Sequence, residues 1–122
     1  MRYIKSNRLM RILKRSEYLR VKQRGTSVAE SGLVIQAAPV ANNSSYLQPR
    51  VGFTVSKRVG NAVKRNRARR RLKSIASDVL PNEGFQAWDY VFIGRLVTLN
   101  RPYDLLLEDA RSALRKIHHK TI

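Results

Sequence analysis

Nineteen consecutive residues, Val55–Lys73 (VSKRVGNAVKRNRARRRLK), carry nine Lys or Arg and no acid, and no fold can bury such a stretch. The nearest carboxylates in sequence are Glu30 and Asp78, so nothing local neutralises it. A block of like charge repels itself unless a polyanion supplies the counter-charge. A solvated charge run is the plain alternative, and three details weigh against it. Asn66 sits inside the cluster, between Arg65 and Arg67, with an amide that both donates and accepts. Gly60-Asn61 supplies a turn and an N-cap for a helix that follows. Six of the nine bases are Arg (Arg58, Arg65, Arg67, Arg69, Arg70 and Arg71, beside Lys57, Lys64 and Lys73). The Arg fork grips phosphate bidentately and stacks on bases.

The rest of the chain points the same way. A net charge of +17 over 122 residues favours a nucleic-acid partner over an anionic membrane surface. No run of about eighteen apolar residues exists to span a bilayer. The 43 % hydrophobic content is enough for a core, and the length predicts one RNA-binding domain over residues 1–122. The absence of cysteine removes disulfides and thiolate metal sites and fits a cytoplasmic location. Of the 25 bases, nine fall in residues 1–24 and nine in 57–73. That implies two contact regions, or one surface assembled from both. Met1–Arg15, Arg-rich and free of acid, has some features of a transit peptide but is read as a basic N-terminal arm of the mature protein.

Periodicity predicts the order α-β-β-α-β-α, an α+β sandwich of a small sheet packed with helices. Ser16 caps a short helix, Glu17–Arg24, that Gly25 stops in a left-handed conformation. Gly32–Ala38 reads as a strand ended by Pro39, with Leu33 and Ile35 on one side and Val34 and Gln36 on the other. After a loop at Asn42–Gln48, Arg50–Ser56 alternates with Val51, Phe53 and Val55 inward. The two strands are expected to pair as an antiparallel hairpin. A helix from Asn61 to Leu80, terminated by Pro81 and Gly84, carries an apolar stripe of Leu72, Ile75, Ala76, Val79 and Leu80. Ala68 and Arg65 extend that stripe, and Arg67 and Arg70 point away. Ala87–Leu96 is apolar on both faces, hence central, and completes a βαβ unit whose default hand is right-handed. Tyr103–His118 forms the last helix, burying Leu106, Leu107, Ala110, Leu114 and Ile117, with Trp88 and Phe92 in the core.

No catalytic constellation emerges. His118 and His119 are helical neighbours 100° apart, expected on the surface, and do not converge on one atom. The carboxylates are scattered, and no Gly-rich phosphate loop or Ser/His/Asp order appears. The protein alone is expected to catalyse nothing and to contribute positioning and electrostatics.

VSKRVGNAVKRNRARRRLK resembles the signature of the bacterial ribonuclease P protein component, approximately V-S-K-K-x-G-x-A-V-x-R-N-R-x-K-R-x-x-R. The match holds at Val55, Ser56, Lys57, Gly60, Ala62, Val63, Arg65, Asn66, Arg67 and Arg70, with conservative departures at Arg58, Arg69 and Lys73. The likeness runs from about Leu13 to Ile117, but its specificity lies almost wholly within 51–73. It implies the protein subunit of a ribonucleoprotein endonuclease that removes the 5′ leader of precursor tRNA. A catalytic RNA subunit is then the partner, one protein per RNA, and performs Mg²⁺-dependent hydrolysis while the protein itself binds no cofactor. The same resemblance implies a left-handed βαβ crossover, which no residue here shows. It places Lys57, Arg58, Asn61, Lys64, Arg65, Asn66, Arg67, Arg69, Arg70 and Lys73 against RNA. A cleft between the first helix and the sheet would take the single-stranded leader, with Tyr18, Lys22, Val34 and Gln36 facing it. Tyr18 stands where the family usually has Phe, and its ring is either a base platform or a core ring holding helix to sheet. A structural rRNA-binding protein is the alternative and leaves the R-N-R signature unexplained. A duplex-DNA reader would carry more Gln, Asn, Ser or Thr beside its Arg.

Overall fold

The computed structural model describes residues 9–40 and 48–121. Residues 42–47 of the expected Asn42–Gln48 loop and the first eight residues of the basic arm lie outside them. In chain order the elements are β1 (Met10–Arg11), α1 (Arg15–Arg24), β2 (Thr26–Ala29), β3 (Leu33–Pro39), β4 (Arg50–Val55), α2 (Ala62–Glu83), β5 (Trp88–Gly94) and α3 (Tyr103–Thr121). Short 3-10 turns at Lys57–Val59 and Leu96–Leu99 follow β4 and β5. Five strands form one sheet in the order β1-β4-β5-β3-β2.

The sheet corrects the expected hairpin. β3 and β4 do not pair; β5 lies between them, antiparallel to β3 and parallel to β4. β5 is the one strand apolar on both faces, and burial of both faces is available only at the centre. Its register sets Ile35, Phe92 and Phe53 in one row across the sheet. The parallel β4–β5 pair makes β4–α2–β5 the expected βαβ unit. Two strands were not anticipated. β2 offers only Val28 to the core, a weak signal for an edge strand. β1 draws the end of the presumed arm into the sheet, pairing Met10 and Arg11 with Arg50 and Val51, and Ile12 behind it is buried.

Each sheet face has its own cover. α2 and α3 pack on the face bearing Leu33, Ile35, Val51, Phe53, Tyr90 and Phe92. α1 covers part of the other, where Val21 meets Ile12, Ala38 and Val91. α2 behaves as its apolar stripe requires: Ala68, Leu72, Ile75, Ala76, Val79 and Leu80 are all fully buried. Pro81 does not end it. Its missing N–H would have served Ser77, in an exposed turn where the loss is cheap, and the helix closes at Gly84 through Gly84 N–H to Leu80 O, 2.8 Å.

Gly25 is extended (φ −92°), not left-handed, because the chain runs straight from α1 into β2. Glycine is needed there for room, since a Cβ would collide with the carbonyls of Ala37 and Val21. Ser16 lies inside α1 and does not cap it. Glu17 reaches back instead, accepting from the Lys14 N–H at 3.2 Å. α3 overruns its expected end, and His118 is 5 % exposed rather than a surface group. Its ring stacks on Phe85 with centroids 3.7 Å apart, and Nε2 lies 2.8 Å from the Tyr90 hydroxyl.

Candidate nucleic-acid interface

The basic segment begins as two turns that aim a helix. Ser56 Oγ accepts from Arg58 N–H, and Gly60 takes a φ of +143°, which a side chain at that position would strain. Asn61 Oδ1 then accepts from Lys64 N–H at 3.0 Å, the N-cap expected from sequence. The first turns of α2 hold Lys64, Arg65 and Arg67 with no acid among them. A helix N-terminus already carries partial positive charge, so cations gathered there raise the local potential and favour an anion.

The side chains of this segment divide into two groups. Arg65 is half-buried and folds back, donating to the Gly60 carbonyl at 3.0 Å, and Arg69 donates to Asn66 Oδ1 at 3.2 Å. Arg71 is turned inward and donates to the Arg101 carbonyl, so it fastens α2 to the turn before α3. Lys57, Arg58, Lys64, Arg67, Arg70 and Lys73 are exposed. Among the described residues every ion pair is made by Arg20, Arg50, Arg101, Arg115 or Lys116. None comes from 57–73. Five of the eight acids are paired elsewhere, and the basic segment is left without an ion-pair partner among the described residues.

The second feature lies on the sheet face that α1 covers only in part. Tyr18 and Lys22, one turn apart on α1, meet Gln36 of β3, Thr54 of β4 and Val91 and Ile93 of β5 around a groove of about 250 Å³. Three of the four cleft residues expected from resemblance are therefore brought together. Val34 is not in the lining, although it lies on the same face, paired with Ile93. Thr54, Val91 and Ile93 were missed as groove residues. Alternation had turned Thr54 away from the core, but only the register with β5 shows what it faces. The Tyr18 ring is half-buried and rests on Gly52, where a Cβ would fall about 2.5 Å from the ring. It therefore seats α1 on the sheet and also offers an edge to the groove.

A buried ion cluster holds α1 in that place. Asp89, fully buried, accepts from Arg20 Nη2 at 2.9 Å and from Arg50 Nε and Nη2 at 2.9 and 2.8 Å. Arg50 Nη1 donates to Glu17 at 2.6 Å, and Arg20 Nη1 donates to the Pro39 carbonyl. Burial pushes the Glu17 carboxyl up, but hydrogen bonds from Arg50 and the Lys14 N–H and the Arg50 charge outweigh it and hold its pKa below the ordinary value. Asp89 escaped notice in the sequence because β5 reads as continuously apolar. Among the described residues no three His, Asp or Glu side chains gather as a metal site, and no helix is long and apolar enough to cross a membrane.

Comparison with known proteins adds to this geometry. A family model described as Ribonuclease P matches residues 7–118. The ribonuclease P protein component of Paramagnetospirillum magneticum is 49% identical over 111 residues, covering 90% of this chain and 84% of that protein. That of Ruegeria pomeroyi is 49% identical over 106 residues, 86% of this chain and 83% of its own. The solved structure of the Staphylococcus aureus RNase P protein superposes with a TM-score of 0.70 at 25% identity, over 89% of this chain and 95% of that one.

Proposed function

The chain belongs to the ribonuclease P protein component family, and on that premise we propose that its two features divide the work of the holoenzyme. Membership makes it the protein subunit of an endoribonuclease that matures tRNA, with an RNA subunit and a tRNA substrate as partners, in place of the rRNA-binding alternative. The surface at 57–73 takes the catalytic RNA, and the groove under α1 takes the single-stranded 5′ leader. The observation that carries this reading is the segregation of charge: the signature cations lack carboxylate partners among the described residues, while Asp89 and Glu17 are committed to holding α1. In the groove Tyr18 offers an aromatic edge, Lys22 a phosphate contact, and Gln36 and Thr54 hydrogen bonds to a base. One protein serves each RNA, in the cytoplasm, and Mg²⁺ for hydrolysis is held by the RNA.

Two variants test the division. Arg67→Ala should weaken assembly with the RNA subunit by about 1–3 kcal/mol, the range of a charge-assisted contact. Tyr18→Ala should leave assembly intact and weaken holoenzyme binding only of substrates whose leader reaches the groove, by roughly 1–3 kcal/mol. Equal loss on long- and short-leader substrates would mean that Tyr18 serves the fold and not the leader.

A further inference from the structure

A second cavity lies on the opposite face of the sheet, at its β1 edge, where α2 crosses β4. It encloses about 260 Å³ and is lined by Leu9, Arg11, Val51, Phe53, Lys73 and Ser77. The floor is apolar, made of Val51 and Phe53, and the guanidinium of Arg11 sits 5.0 Å above the centroid of the Phe53 ring. Arg11 and Lys73 are exposed, and neither takes part in an ion pair among the described residues. We propose that this cavity binds one unstacked nucleotide of an RNA strand, its base against the outer face of the Arg11 guanidinium and its phosphate at Lys73.

The chemistry selects that occupant. Bases splayed from single strands stack on guanidinium planes as they do on aromatic rings, and Phe53 beneath holds the Arg11 plane for the purpose. The Ser77 hydroxyl, one turn beyond Lys73 on α2, is placed to serve a ribose or a base edge. With two cations and no acid in its lining, the cavity selects for an anionic ligand. Lys73 is also the last base of the 57–73 surface, one turn beyond Arg70, so a strand crossing that surface reaches the cavity without leaving the protein. The leader groove cannot serve the same nucleotide, because Thr54 and Phe53 point to opposite faces of β4. The inference rests on the RNA-binding reading of 57–73 and is independent of the leader assignment.

The test is an amide-resolved NMR titration of the full chain with a short oligouridylate, with 5′-AMP and with inorganic phosphate. Oligouridylate should shift Arg11, Phe53, Lys73 and Ser77 together with residues of 57–70, and AMP should shift the first group without phosphate reproducing it. Arg11→Ala, or Ser77→Ala as a second variant, should weaken that group's response roughly fivefold or more while shifts at Tyr18 and Gln36 persist. Shifts at 57–70 alone, or a cavity response identical with phosphate and with AMP, would overturn the nucleotide site and leave the RNA surface standing. No response at either place would overturn both.

Discussion

At the scale of single residues, two of the buried polar groups decide most, Asp89 and His118. Asp89 is fully buried against the guanidinium groups of Arg20 and Arg50, and removing one member of such a cluster strands the others in low dielectric. Asp89→Ala should cost about 3–5 kcal/mol in urea unfolding. A loss below about 1 kcal/mol would show that water already reaches the guanidinium groups. His118 is the opposite case, a buried ring kept neutral. Desolvation pushes its pKa down from 6.5 to about 4, only partly opposed by Glu83. Between those values the unfolded chain binds the proton and the folded chain does not. Its contribution is therefore complete above about pH 6.5 and is lost as pH falls toward 4, by of order 3 kcal/mol. His118→Phe should flatten that limb of the stability–pH curve relative to the parent, and parallel curves would exclude His118 as the source.

At the scale of elements, α1 meets β4 through one glycine. A Cβ at residue 52 would meet Cε1 and Cζ of Tyr18 at 2.5 Å. Gly52→Ala must therefore push the ring outward. Since the ring is the free end of a side chain, the cost in stability should fall in the lower part of the range typical of overpacking, about 1–3 kcal/mol. Affinity for long-leader substrates should nonetheless fall, as expected for Tyr18→Ala, with assembly on the RNA subunit unchanged. Unaltered long-leader affinity, measured in the same holoenzyme assay, would show that the seat of Tyr18 on the sheet does not set its place in the groove. α2 shows the same economy at larger size: its second half is core, and its first half stands clear as a charged face.

At the scale of the whole molecule, charge is segregated. The acids with ion-pair partners (Glu17, Glu30, Glu83, Asp89 and Asp109) are engaged by bases outside 57–73, and the cations of 57–73 have no ion-pair partner among the described residues. Binding to the RNA subunit should then be dominated by counterion release. Each neutralised phosphate adds about −0.7 to −0.9 to the slope of log K against log salt, so five contacts give a slope steeper than roughly −3.5. Arg67→Ala should make it shallower by about one. A slope near zero in an ionic-strength series would mean that this surface is merely solvated.

What the amino-acid order determines by itself is what neighbouring residues decide among themselves. The Asn61 cap, the buried stripe of α2, the two-sided apolarity of β5 and the bare run of cations at 57–73 each depend on spacing within a turn or a pleat, and each is legible without coordinates. So are Tyr18, Lys22 and Gln36 as one set, through family resemblance rather than periodicity. Pairing is different, because it rewards whichever arrangement buries most surface across long separations. β5 therefore displaced the hairpin that β3 and β4 would have formed alone, and β1 and β2, too short to signal themselves, condensed on the edges. The partners of Asp89 lie 39 and 69 residues away, and those of His118 belong to β5 and the turn before it. A polar residue in a strand or at a helix end reads as exposed until the tertiary structure supplies its partner, because its desolvation cost is offset only by groups that the chain brings together in space.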